Sequence, residues 1–310
     1  MMTLGQLAEL AGYTAAGNSD TEIKGMCYAY DPKDGMLAVA MTPQEALCTS
    51  ADNVLTTGTP LDFSRNFIYS HDEIYCSIVR VANILVANGV LKDYRSPSAF
   101  SERSGIMLSE KAKVGEGTDI GPFSVIEDGA VLGNNCRIGS GVYIGADTII
   151  GNNTVVGSGT KISTESVFHN FDGAYHHFAG AGRVVVGENV FIGSNTVIQR
   201  GTLTDTIIGN GSVIGDMVDI GHDCVVGRNC RIVSQCGISG NVRIGENSVI
   251  FGQSGVQNFV QIGRNVTIKA RTAVSKNVCD GEIVSGLFGR NHIKDLRFYL
   301  GLKNLLNERK

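Results

Sequence analysis

Across most of its length the chain repeats itself every six residues, and few folds accept that period. An aliphatic residue recurs at Val114, Ile120, Ile126, Leu132, Ile138, Ile144, Ile150, Val156 and Ile162. The same phase returns at Val186, Ile192 and Ile198, and after a short insertion it runs from Ile208 to Val274. Two residues before each aliphatic stands a small or β-branched residue, as at Ala112, Thr118, Ser124, Thr196, Ser212 and Val242. Glycine follows most of the aliphatics, as at Gly115, Gly121, Gly209 and Gly245. Such a unit reads as a short strand plus a turn, and repetition at this period means a solenoid. Three units close one triangular coil, and stacked coils pair by ladder hydrogen bonds about 4.8 Å apart. The aliphatic and the small residue both face the axis. Glycine is expected to serve the turn that a Cβ would strain. Glycine is the compositional outlier, with 40 among 310 residues, and the repeat accounts for much of it. The expectation is a mainly β chain built on a parallel β-helix over residues 106–283.

The flanks lack the repeat. Leu4, Leu7, Leu10 and Ala11 have helical spacing, with Gly12 as a stop. SHDEIYCSIVRVANILVANG, from Ser70 to Gly89, reads as a longer helix with Ser70 and Glu73 as a capping box. MLAVAM and DNVLTTG between them read as strands, so residues 1–100 are expected to form a small α/β domain. YRSPSAFSERSG, 94–105, reads as the linker. Residues 287–310 read as a terminal helix with Ile293, Leu296, Leu300 and Leu306 on one side, closing the open end of the solenoid.

Charge and cysteine content narrow the function. The net charge of −4 argues against a general nucleic-acid or anionic-membrane binder, which is normally basic. No run approaches the roughly 18 apolar residues of a transmembrane helix. The start, MMTLGQLAELAGYT, lacks the pattern of a signal peptide. A cytoplasmic protein with thiols rather than disulfides is expected. Cys136, Cys224, Cys230 and Cys236 all occupy the small inward position. That makes them core residues rather than a metal site, since zinc wants a fourth ligand in tetrahedral array and none is evident. No metal and no permanently bound cofactor is expected.

Two segments interrupt the repeat. STESVFHNFDGAYHHFAGAGR, between Ile162 and Val186, spans a whole number of units and is expected to extrude a loop. Loops carried on rigid scaffolds often bear function. Its Phe171, Tyr175, His176 and His177, together with Asn258, are candidate substrate contacts. The second interruption is RGTLTD, 200–205, where the step between aliphatics lengthens.

One histidine lies in the regular repeat. His222, in DIGHDCVVG, falls at an outward turn, with Asp223 adjacent and Asp216 at the equivalent position one unit earlier. Either carboxylate can fix the imidazole tautomer and stabilise the imidazolium. One coil is eighteen residues, so Gly240 should lie directly over His222, its N–H open to an oxyanion. A general base beside an oxyanion donor suits acyl transfer from a thioester to an amine or a hydroxyl. A non-catalytic β-helix module is the alternative. Lys269, Arg271 and Lys276 in the last coils are candidate contacts for the donor's phosphates.

These residues resemble the hexapeptide acyltransferases over roughly 106–283. RGTLTDTIIGNG and GDMVDIGHDCVVG look like the UDP-3-O-acylglucosamine N-acyltransferase family, and HDCVVG with ISGNVRIGENSVI is similar to the acetyl-CoA-dependent N-acetyltransferases of nucleotide-linked amino sugars. The resemblance implies a left-handed β-helix and a homotrimer. It implies nucleotide or sugar recognition by the N-terminal domain. The co-substrate would be acyl-CoA or the phosphopantetheine of acyl-carrier protein, and the product would serve lipid A or surface polysaccharide synthesis. His222 would be the base, Asp216 or Asp223 its partner, and Gly240 the oxyanion donor. The chain departs from the first family in places. Phe259 stands where that family has a second histidine, and LAVAMTPQEAL lacks its aromatic clamp. SGLF lacks its proline, and the C-terminal tail is shorter.

Overall fold

The computed structural model describes residues 2–58, 65–92, 100–103, 105–165, 180–286, 297–298 and 300–301. The N-terminal part is a five-stranded sheet built from β1 (Thr14–Ala16), β2 (Met26–Tyr28), β3 (Leu37–Val39), β4 (Asn53–Thr57) and β5 (Asn66–Ser70). Its order is β1-β5-β4-β3-β2, parallel except for β1. Alternate side chains go to opposite faces. Leu37, Val39, Leu55 and Ile68 join a core with α1 (Leu4–Ala11) and α3 (Ile74–Ala87). Ala38, Val54, Phe67 and Tyr69 face a second core that includes Ala46 of α2 (Pro43–Cys48).

α1 is capped by Thr3, whose hydroxyl accepts from the Gln6 amide while the Gln6 side chain answers the Thr3 amide. It ends at Gly12 in the left-handed region, φ 72°. The second long helix starts later than the sequence suggests. Ser70 ends β5 instead, and Glu73 is the N-cap without a side-chain bond. The Ser70 hydroxyl accepts from the Asp72 amide, a local turn that competes with capping.

The rest is a left-handed parallel β-helix of about 12 turns. Its three walls have ten, eight and nine strands. Successive coils pair in register at one-coil steps, as in Val125↔Tyr143 and Ile126↔Ile144. The aliphatic and small positions of the repeat fill one continuous core, the four repeat cysteines among them. Cys224, Cys230 and Cys236 point their thiols at backbone carbonyls of the next coil. Burial pushes the Cys224 thiol up to about 12.

Two expectations need correction. Part of the stretch read as a linker, β6 (Phe100–Arg103), pairs antiparallel with β7 (Ile106–Ser109) and extends the ten-stranded wall. The glycine after each aliphatic does not serve a strained turn. A Cβ on Gly133 would lie 2.7 Å from the backbone nitrogen of Asn152 in the next coil, so this glycine permits close stacking. The left-handed turn falls two residues later, on Asn135, Asn153, Asp223 and Asn241 among others. Asparagine and aspartate tolerate that region better than other side chains do.

Both interruptions preserve the register. Ile150 pairs with Val186 across the longer segment, and Ile198 pairs with Ile220 across RGTLTD. Arg183 and Asp205 close the base of RGTLTD with an ion pair at 2.9 Å. Of the expected terminal helix, Arg297, Phe298, Leu300 and Gly301 have helical backbone, and the rest of 287–310 lies outside the described residues. Among the described residues no helix is long and apolar enough to cross a membrane.

Candidate active site

The ten-stranded wall carries Asp219, Gly237, Gly255 and Ala273 one above another. The corner after that wall therefore stacks His222, Gly240, Asn258 and Lys276 in one column. The periodic core makes this column rigid, because each coil is pinned by amides such as Asn241 N–H to the His222 carbonyl at 2.8 Å.

At the foot of the column His222 Nδ1 lies 2.7 Å from Asp223 Oδ2. The His222 side chain is 18 % exposed and that of Asp223 is 0 % exposed. The other carboxylate oxygen, Oδ1, accepts from the Leu203 amide at 3.1 Å, the Thr204 amide at 2.8 Å and the Thr204 hydroxyl at 3.0 Å. Oδ1 is thus filled by donors from the insertion, and Oδ2 is left to face the imidazole. The proton of a neutral imidazole then sits on Nδ1, and Nε2 keeps its lone pair.

Nε2 is turned towards Gly240. A Cβ built there would lie 2.5 Å from it, so only glycine leaves room for the ring. The Gly240 amide is open, a state it shares with other corner amides such as those of Ser234 and Glu246. At corresponding corners the amides of Asn134, Ser194 and Asp216 are met by the side chains of Asn152, Asp216 and Ser234 in the next coil. The Gly240 N–H makes no hydrogen bond to any described residue, although its neighbours Ser239 and Asn241 donate normally. Beside the column a shallow groove of about 380 Å³ runs along the wall, floored by Gly237, Gly255 and Ala273. A Cβ added at Gly237 or Gly255 would meet nothing, so these glycines hold the groove open.

The other expected residues scatter. Asp216 stands at the opposite edge of the same wall, where its Oδ1 caps the Ser194 amide at 2.7 Å. It therefore does not join His222, and Asp223 does. Lys269 and Arg271 share that far edge. Lys269 lies over the Phe251 ring at 5.6 Å, and Arg271 donates to Gln253 at 2.6 Å. Lys276 is exposed at the head of the His222 column, with Asn258 below it, so the three basic residues form no single cluster. Phe171, Tyr175, His176 and His177 lie outside the described residues. Sequence reasoning missed Leu203 and Thr204, although RGTLTD stood out both as an insertion and within a stretch that resembles a family. It also missed Tyr30, which donates to Asn241 Oδ1 at 2.8 Å.

Repeat and corner geometry together define a hexapeptide-repeat β-helix. Its sequence matches the bacterial transferase hexapeptide model at 111–146, 129–164 and 205–240, the last stretch running through His222 to Gly240. The hexapeptide repeat of succinyl-transferases matches at 183–216. Within that class the chain resembles the hexapeptide acyltransferases. It is 29 % identical over 71 % of its length, and 67 % of the relative's, to UDP-3-O-acylglucosamine N-acyltransferase of Pseudomonas syringae pv. tomato. It is 36 % identical to the enzyme of that name from Leptospira biflexa, over 24 % of this chain and only 21 % of that one. A solved structure, Francisella novicida UDP-N-acetylglucosamine acyltransferase, superposes with a TM-score of 0.55 at 28 % identity, covering 60 % of this chain and 66 % of that one.

Proposed function

We propose that this chain is an acyltransferase that moves an acyl group from a thioester donor to the amine of a nucleotide-linked amino sugar. A UDP-linked 3-O-acylglucosamine, as in the names of its relatives, is the favoured acceptor. The observation that carries the reading is the His222–Asp223 pair with Nε2 aimed at the space over Gly240. In this reading Nε2 takes the proton from the amine as its nitrogen attacks the thioester carbonyl. Asp223 stabilises the imidazolium, which then protonates the leaving thiolate. The Gly240 N–H donates to the oxyanion of the tetrahedral intermediate.

The groove beside the column is narrow and partly apolar, which suits a pantetheine arm or alkyl chain. Lys276 suits the donor's phosphates. Acyl-carrier protein and acyl-CoA share that arm, and both are admitted as donors. The product would enter lipid A or surface polysaccharide synthesis. A homotrimer is proposed with it, supported by outward apolar residues such as Phe191 and Val213, which are stacked neighbours on the nine-stranded wall. A second reading, transfer to a sugar hydroxyl, is favoured by the likeness to a solved UDP-N-acetylglucosamine O-acyltransferase of Moraxella catarrhalis and uses the same pair.

The test is mass spectrometry of products from UDP-linked amino sugars offered with each donor. An N-acylated product, with kcat falling roughly a hundredfold or more in His222→Ala, supports the reading. Acylation of oxygen alone would replace it with the second. Full activity in His222→Ala would refute both.

A further inference from the structure

The RGTLTD insertion touches two parts of the molecule at once. Its polar backbone faces the site, where the Leu203 and Thr204 amides and the Thr204 hydroxyl fill Asp223 Oδ1. Its apolar side chain faces away. Leu203 is 4 % exposed and belongs to the N-terminal core formed by α1, α3 and the central strands. A second contact reaches the same corner one coil higher. Tyr30, stacked on Tyr28 with ring centroids 5.0 Å apart, donates to Asn241, the residue after Gly240. The Arg243 guanidinium covers the Tyr30 ring at 5.2 Å.

A one-residue repeat error would merely bulge the coil. This insertion is fastened at its base by the Arg183–Asp205 pair, and Asp223 answers it from the coil above with its own amide donated to Thr206. The Thr204 hydroxyl at its tip is spent on a fully buried carboxylate.

We infer that residues 200–205 are a positioning clamp through which the N-terminal domain sets the orientation of the His222–Asp223 pair. Leu203 is the anchor and Thr204 the arm. Neither touches the reacting atoms. Together they hold Asp223 so that Nδ1 keeps its proton and Nε2 stays turned over Gly240. The inference rests on the reading of His222 as base only for its effect on turnover. The orientation itself is independent of that reading.

The experiment uses the full chain labelled with 15N-histidine. The six histidines make the spectrum tractable, and His222→Gln assigns the resonance. In Thr204→Val the imidazole is expected to lose its single-tautomer pattern. On the proposed substrates kcat is expected to fall roughly tenfold with KM within a factor of two. Thr204→Ser should restore both. Leu203→Ala should disturb the same resonance, whereas Leu55→Ala, which empties the same core from β4, should lower stability alone. An unchanged His222 spectrum in Thr204→Val would overturn the clamp, even if turnover fell. Equal effects of Leu203→Ala and Leu55→Ala on the resonance would overturn the anchor. A disturbed spectrum in Thr204→Val together with full activity in His222→Gln would support the clamp and discard the catalytic reading.

Discussion

Asp223 is the residue where local and tertiary demands meet. It holds a left-handed turn at φ 59°, a conformation that aspartate accepts, and from there its carboxylate reaches both His222 and the insertion. Asparagine would keep the turn but place an amide where Nδ1 needs an acceptor of full charge. Asp223→Asn is therefore expected to retain the fold and lose roughly two to four orders of magnitude in kcat, measured alongside circular dichroism. Gly240 is equally constrained. In Gly240→Ala the new methyl would sit where the ring now lies, so the imidazole must swing away. A loss of about a hundredfold or more in kcat at unchanged melting temperature is expected; a fully active variant would mean that Nε2 does not work over Gly240. Cysteine reactivity follows burial. The four repeat cysteines are buried, and desolvation raises the thiols of Cys224, Cys230 and Cys236. Their thiolate fraction is then minimal near neutral pH. Alkylation of the native protein, read by peptide mass mapping, should modify Cys48 and Cys279 rapidly, since both are exposed, and spare the four.

At the scale of the element, two kinds of glycine occur in one solenoid and mean opposite things. Gly133 and its equivalents face the next coil, and a Cβ would strike backbone that cannot give way. Gly237 and Gly255 face outward into open space. Gly133→Ala is expected to lower stability by about 1–3 kcal/mol through overpacking, read by denaturant unfolding. Gly255→Ala should leave stability within about 0.5 kcal/mol. If the groove receives the donor, that variant should raise the donor's KM instead. Equal melting behaviour of the two variants would contradict this division. The insertions behave as elements too. Each adds residues at a corner and rejoins in register, because the core ladder on either side admits only one phase of inward side chains.

For the whole molecule, the solenoid supplies rigidity and the N-terminal domain supplies contacts that a solenoid cannot make with itself. Outward apolar side chains on the nine-stranded wall, Phe191 and Val213 among them, are exposed in the single chain. On the proposed trimer they are covered, and sedimentation should report three times the 32.9 kDa chain, with Val213→Glu dissociating it. The repeat, its coil length, its inward residues and the stacking of Gly240 over His222 were all legible in the sequence, because a strict period converts residue number into position. The helix at Leu4 and the strands at Leu37 and Asn53 were legible for the same local reasons of spacing and alternation. What the period could not supply is anything that depends on a contact outside it. Asp216 and Asp223 were both candidate partners along the chain, and the bond in the folded corner shows that Asp223 reaches the imidazole. Leu203 and Thr204 lie in a stretch that carries a family resemblance, yet what they do depends on an N-terminal core and a carboxylate distant in sequence. The sequence by itself determined the scaffold and the column of the site. The tertiary structure decided which acid serves the histidine and what holds that acid, because those bonds join segments that no local pattern relates.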